Sequence, residues 1–147
     1  MIKSLEAIIE ALKAEEQLTK PTTFDFGNGP VPAHRHKNPD GSVGGWVANT
    51  ATVADTAYIG ENAQVFGNAQ VFGNAWVSGN AWVYGDAQVY EYAEVLGNAE
   101  VLGNALVSGN ALVSGNAKVF GKAKVFGNAQ VAGNAQVCGD AKMVIDH

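Results

Sequence analysis

From Val47 onward an aliphatic residue returns every six positions, without a slip, as far as Met143. There are seventeen such positions, and fifteen of them are Val, with Ile59 and Met143 the others. Alanine keeps the same period from Ala51 to Ala141 at all sixteen positions, and a glycine, usually as Gly-Asn, stands two residues after the aliphatic position in 12 of 16 intervals. The unit reads Ala-x-Val-x-Gly-Asn. Its first four residues alternate, so they form a short strand with Ala and Val on one face and both x residues on the other. Gly-Asn is a turn pair that tolerates positive φ. A four-residue strand cannot bury a face alone, but stacked copies can, and the repeat therefore dictates a solenoid. An inward set of only Ala and Val makes its interior narrow, with no room for a ligand.

The unit resembles the hexapeptide repeat, aliphatic-x-x-x-small-x, of the left-handed parallel β-helix superfamily, which includes bacterial acyltransferases and γ-class carbonic anhydrases. The likeness covers residues 46–147. The opening segment Gly41-Ser42-Val43-Gly44-Gly45-Trp46-Val47 also resembles the start of YdcK-like repeat proteins of bacteria and phages. The resemblance implies left-handed coils of three hexads, a triangular cross-section and a homotrimer. It implies a bacterial or phage origin as well.

Sorting the residue after each Val by position modulo 18 tests the three-hexad coil. One face receives Phe66, Tyr84, Leu102, Phe120 and Cys138; the next receives Phe72, Tyr90, Ser108, Phe126 and Val144; the third receives Gly60, Ser78, Leu96, Ser114 and Ala132. Two faces are bulky and one is small, as a three-sided prism predicts. Sixteen hexads make about five triangular coils, a prism roughly 25 Å tall at the usual strand spacing. Adjacent hexads also carry near-identical pairs, among them Trp76/Trp82, Glu94/Glu100 and Lys118/Lys124, which suggests growth by twelve-residue duplication.

The first 45 residues differ. Leu5, Ile8, Ile9 and Leu12 fall on one side of a helical projection, and Glu6, Glu10 and Lys13 on the other, so residues 1–20 read as an amphipathic N-terminal α-helix ended by Pro21. Residues 21–45 hold all four prolines, Pro21, Pro30, Pro32 and Pro39, and read as a Pro/Gly-rich loop or arm. The helix is placed to cap the open end of the prism, where unpaired strand edges invite aggregation, or to pair with copies of itself.

A formal charge of −5 and a pI near 5.0 leave no basic footprint for duplex nucleic acid. No apolar run approaches 18 residues, so no membrane span is expected. Glu6 stands where a secretory signal would be uniformly apolar, and the single Cys138 offers no internal disulfide. A cytoplasmic location is the expectation, the host's if the gene belongs to a phage.

The superfamily's acyltransferases use a histidine near a subunit boundary, and its carbonic anhydrases hold zinc with three histidines on the coils. The repeats here contain no histidine before His147, so neither activity transfers and no cofactor is expected. His34 and His36 flank Arg35. Strand alternation would put both imidazoles on one side, as a general base or a partial metal site, or as side chains bonded to the first coil. No third ligand is identifiable, so no metal is expected.

The bulky stripes carry more. Phe66, Tyr84, Leu102 and Phe120 on one face, with Phe72, Tyr90 and Phe126 on the next, are expected to point outward and flank the edge at Gly67-Asn68 and its 18-residue equivalents. Three such edges packed around an axis would bury both stripes. Lys118, Lys122 and Lys124 fall in one coil beside that edge, with Phe120, Phe126, Tyr90 and Tyr92 nearby. This arrangement suits a small anionic or nucleotide ligand. Alternatively, Glu100 lies 18 residues before Lys118 and offers a simple ion pair across strands. Glu91-Tyr92 replaces Gly-Asn at one corner, and Trp76 and Trp82 are outward on two faces. The reading is a non-catalytic trimeric scaffold or binding protein. Its alternatives are a binder of a phosphorylated small molecule and an acetyl-CoA-dependent acyltransferase with His34 or His36 as base.

Overall fold

The computed structural model describes residues 22–145. It is an all-β parallel solenoid of about six turns, slightly more than the sixteen hexads suggest, because seventeen aliphatic positions give seventeen solenoid strands, six on each of two faces and five on the third. No helix occurs among the described residues. The helix expected over residues 1–20 lies outside them.

Three strands open the chain: β1 (Thr23–Asp25), β2 (Pro30–Lys37) and β3 (Val43–Ala48). Sixteen short strands follow, from β4 (Thr52–Val53) to β19 (Lys142–Ile145). They sort into three sheets. The first face stacks β3 on Gln64–Val65, Trp82–Val83, Glu100–Val101, Lys118–Val119 and Gln136–Val137. The second runs from Thr52–Val53 through Gln88–Val89 to Lys142–Ile145, and the third from Tyr58–Ile59 through Glu94–Val95 to Gln130–Val131. Every parallel pair joins residues 18 apart, as in Val95 with Val77 and Val113. The three-hexad coil is thus found directly in the register.

Most strands are two residues long, x-Val, rather than the four expected. The corners take the rest. Ala69 N–H donates to Phe66 O across Gly67-Asn68. Gly67 has φ +66° while Asn68 keeps a negative φ, the sign pattern of a type II′ turn with glycine first. The ladder does not stop there, because Asn68 N–H donates to Gly85 O in the next coil at 2.8 Å. Corners stack as tightly as strands do. A Cβ on Gly67 would lie 2.9 Å from Gly85 N, which excludes a side chain on grounds of space as well as φ.

The interior holds Val, Ala and the single Ile59 through the coils, from Val47 and Ala57 to Val125 and Ala129, nearly all of them fully buried. Such small side chains suit a narrow interior, and the backbone pairs coil to coil, so both the apolar and the polar demands of the interior are met.

The arm expected over residues 21–45 is ordered structure. β1 and β2 form an antiparallel hairpin, and β2 pairs antiparallel with β3, extending the first face beyond the solenoid's first coil. Prolines are compatible with this position because Pro30 begins its strand and Pro32 contributes a carbonyl, which accepts Asn49 N–H at 2.9 Å. The open end of the prism is therefore covered by this hairpin and its side chains. The Asn38 amide and the His36 ring meet the first strand of the third face.

Candidate functional site

The register slips by one residue between Arg35 and Lys37. That bulge breaks the alternation expected for His34 and His36. His34 is exposed and its Nδ1–H donates to Asn49 Oδ1 at 2.7 Å. His36 is buried and its Nε2–H donates to Ala57 O at 2.8 Å. The two rings have separate partners and do not make a ligand pair. Among the described residues no three His, Cys, Asp or Glu side chains gather into a metal-binding group.

The bulky stripes stand where the modulo-18 sorting puts them, on adjacent faces, but they are not bare. Phe66 stacks on Tyr84 at 4.6 Å with an interplanar angle of 3°, and Phe26 of the hairpin stacks on Phe66 at 4.9 Å. Phe24 stacks on Trp46 at 4.9 Å, with the Arg35 guanidinium 5.2 Å from the same ring. Coil-on-coil stacking leaves Phe66, Tyr84, Tyr90, Leu102, Phe120 and Phe126 half-buried, and Phe72 more exposed. Chain order also spreads the stripes. The one holding Phe66 borders the edge between the first and second faces. The one holding Phe72, Tyr90 and Phe126 lies across the second face, toward the edge carrying Tyr92.

The lysines divide among three places. Lys118 is on the first face, 3.4 Å from Glu100 Oε2, while the Tyr84 hydroxyl donates to Glu100 Oε1 at 3.1 Å. Burial, and then the Glu100 charge, push the Tyr84 phenol above its ordinary range. Lys122 is on the corner, and Lys124 is on the second face directly in register with Lys142. The ion pair accounts for Lys118. Lys124 and Lys142 are like charges side by side, an arrangement that repels unless an anion intervenes.

A cleft of about 450 Å³ opens under the hairpin loop. Phe26, Val31, Pro32, Ala48 and Phe66 form its walls, and Asn28 and Asn49 stand at its rim. Sequence reasoning missed it because a Pro-rich arm gives no signal that it folds back. It also missed a column of asparagines. Asn80, Asn98, Asn116 and Asn134 occupy one corner, and each amide donates to the next at 3.2 to 3.3 Å. Its signal is the 18-residue spacing of Asn80, Asn98, Asn116 and Asn134, the same period that the strands carry.

Two overlapping stretches, residues 63–79 and 75–91, match the family model of the YdcK beta solenoid repeat. No curated protein and no solved structure matches the chain. The matched stretches are consecutive hexads of the coils described above, and with the three stacked sheets they support a repeat β-helix family, so the chain is a β-solenoid repeat protein.

Proposed function

We propose that the protein is a non-catalytic scaffold, a left-handed β-helix of bacterial or phage origin that works in the cytoplasm as a homotrimer. The observation that carries this reading is the filled interior: Val and Ala close the prism through its coils, so whatever the protein binds must meet its outer surface. Self-association supports the use of that surface. Phe66, Tyr84, Leu102 and Phe120 border the edge between the first and second faces, and three copies packed around that edge would cover them, with Phe72, Tyr90 and Phe126, across the second face, reached by the flanks of the neighbouring copies. The substitutions Phe66→Glu and Phe120→Glu test the arrangement. Light scattering should show a trimer for the parent chain and monomers for the double variant, with unchanged circular dichroism. A variant that keeps the parent's mass would remove this interface.

A second reading has its own observation. The register of Lys124 with Lys142, and Lys122 on the adjoining corner, favour a small phosphorylated ligand held between them, beside Phe126. Titration calorimetry with inorganic phosphate and ATP tests it. Binding lost in Lys124→Ala supports the site, and no heat with either probe rejects it. Acyl transfer draws little support, because His36 is committed to Ala57 O and His34 faces Asn49 outside the repeats.

A further inference from the structure

The edge between the third and first faces differs from the other two. Its corners at Gly79-Asn80, Gly97-Asn98, Gly115-Asn116 and Gly133-Asn134 carry the hydrogen-bonded asparagine column. Trp76 on the third face and Trp82 on the first flank Asn80, and they remain 42% and 37% exposed. One coil on, Glu94 and Glu100 stand in register with those two indoles. A cleft of about 260 Å³ on this edge is lined by Asn80, Trp82, Asn98 and Glu100.

We infer that this edge binds a neutral, β-linked oligosaccharide. A pyranose has an apolar C–H face that lies on an indole, and a rim of hydroxyls that each need a donor or an acceptor. The edge offers both in fixed positions. Tyr58 stacks on Trp76 at 3.8 Å and 11°. Phe66 and Tyr84 meet Trp82 nearly edge-on at 6.0 and 6.2 Å. The rings are thereby held before a ligand arrives, which lowers the ordering cost of binding. Asn98 and Asn116 each spend one hydrogen and one lone pair on the column, Asn80 one hydrogen and Asn134 one lone pair, and the remaining donors and acceptors are kept for a ligand. Successive amides are one strand spacing apart, ~4.8 Å, close to the advance of one sugar unit in an extended β-linked chain, so successive sugars meet successive amides.

Charge narrows the class. Between Asn38 and Ala117 the chain has seven carboxylates and no lysine or arginine, and Lys118 is committed to Glu100. Phosphorylated or sulfated polymers would meet repulsion here. The edge is a different one from that assigned to the trimer, although Trp82 adjoins Phe66 and Tyr84 on the first face, so oligomeric mass is read beside binding.

The test is a tryptophan-fluorescence titration of the full chain with cellohexaose and with chitohexaose, using dextran sulfate as the polyanion. Saturable binding of a neutral hexasaccharide is expected, weakened at least about tenfold by Trp82→Ala and clearly weakened by Asn98→Ala. Both variants should keep the parent's circular dichroism and oligomeric mass. No saturable change with either hexasaccharide overturns the proposal, as does equal binding by both variants. Preferential binding of dextran sulfate overturns the neutral class. A change of oligomeric mass in Trp82→Ala would make the edge a contact between copies instead.

Discussion

The side-chain amide of Asn38 bonds both backbone groups of Ile59. Its Oδ1 accepts Ile59 N–H at 2.9 Å and its Nδ2 donates to Ile59 O at 3.1 Å. A side chain thus takes the place of the missing strand above the first rung of the third face, as the His36 ring does for Ala57 O. Unpaired edges at a solenoid's end recruit other chains, and here the hairpin and its polar side chains close that end.

Replacing Asn38 by Ala leaves the Ile59 N–H and C=O without partners in a buried place. The expected loss is about 2 kcal/mol, the cost of orphaned buried polar groups. Urea denaturation of the two proteins measures it, and an unchanged midpoint would mean that water serves the end equally well.

Much of this fold is legible because its period is strict. An aliphatic residue, nearly always Val, at every sixth position and Ala at every intervening one specify the inward face, and the modulo-18 sorting of Phe66, Tyr84 and Phe120 specifies three sides. The cap was not legible. Asn38, His36 and Asn49 act through long-range contacts to Ile59, Ala57 and His34, and no local pattern announces such partners. The lysines show the same limit. Lys118 and Lys124 look like neighbours in sequence, yet a corner separates their faces and only Lys118 has a carboxylate opposite it.

Glu91 is the only residue other than glycine with positive φ among those described, at 61°. It occupies a column in which Gly73, 18 residues earlier, packs its corner against the Glu91 backbone. A side chain in that conformation costs on the order of 1 kcal/mol or more. Glu91→Gly should therefore raise stability by about 1 kcal/mol. Gly97→Ala, the converse change at a corner where the new Cβ would sit 3.0 Å from Gly115 N, should lower it by at least as much. Denaturant midpoints moving the other way would show that the corner geometry is misassigned.

The interior admits no growth. Ala99 is fully buried between coils, and Ala99→Leu should cost at least about 2 kcal/mol by overpacking. The penalty is shared with neighbouring coils because each coil contacts only the next. Hydrogen exchange should then quicken most around Ala81 and Ala117, the equivalents one coil away. A uniform effect along the chain would contradict nearest-neighbour stacking.

The raised pKa of Tyr84 makes a prediction for alkaline pH. Burial comes first among its causes, and the Glu100 charge and hydrogen bond add to it. The folded protein holds this phenolic proton more tightly than the unfolded chain does. Its contribution is fully present below the ordinary tyrosine value of 10.0 and is lost as pH rises through the raised value. Between 10.0 and the raised value, stability should fall less steeply in Tyr84→Phe than in the parent, read as melting temperature against pH. Parallel curves would show that Tyr84 titrates normally.

The most direct measurement is native mass spectrometry of the protein purified without added ligand. A homotrimeric scaffold predicts one species at three times the chain mass of 15.3 kDa, with no additional bound mass. A species at the mass of a single chain would contradict it, leaving the stripes of Phe66, Phe72 and Phe120 to the coil-on-coil stacking of one protomer.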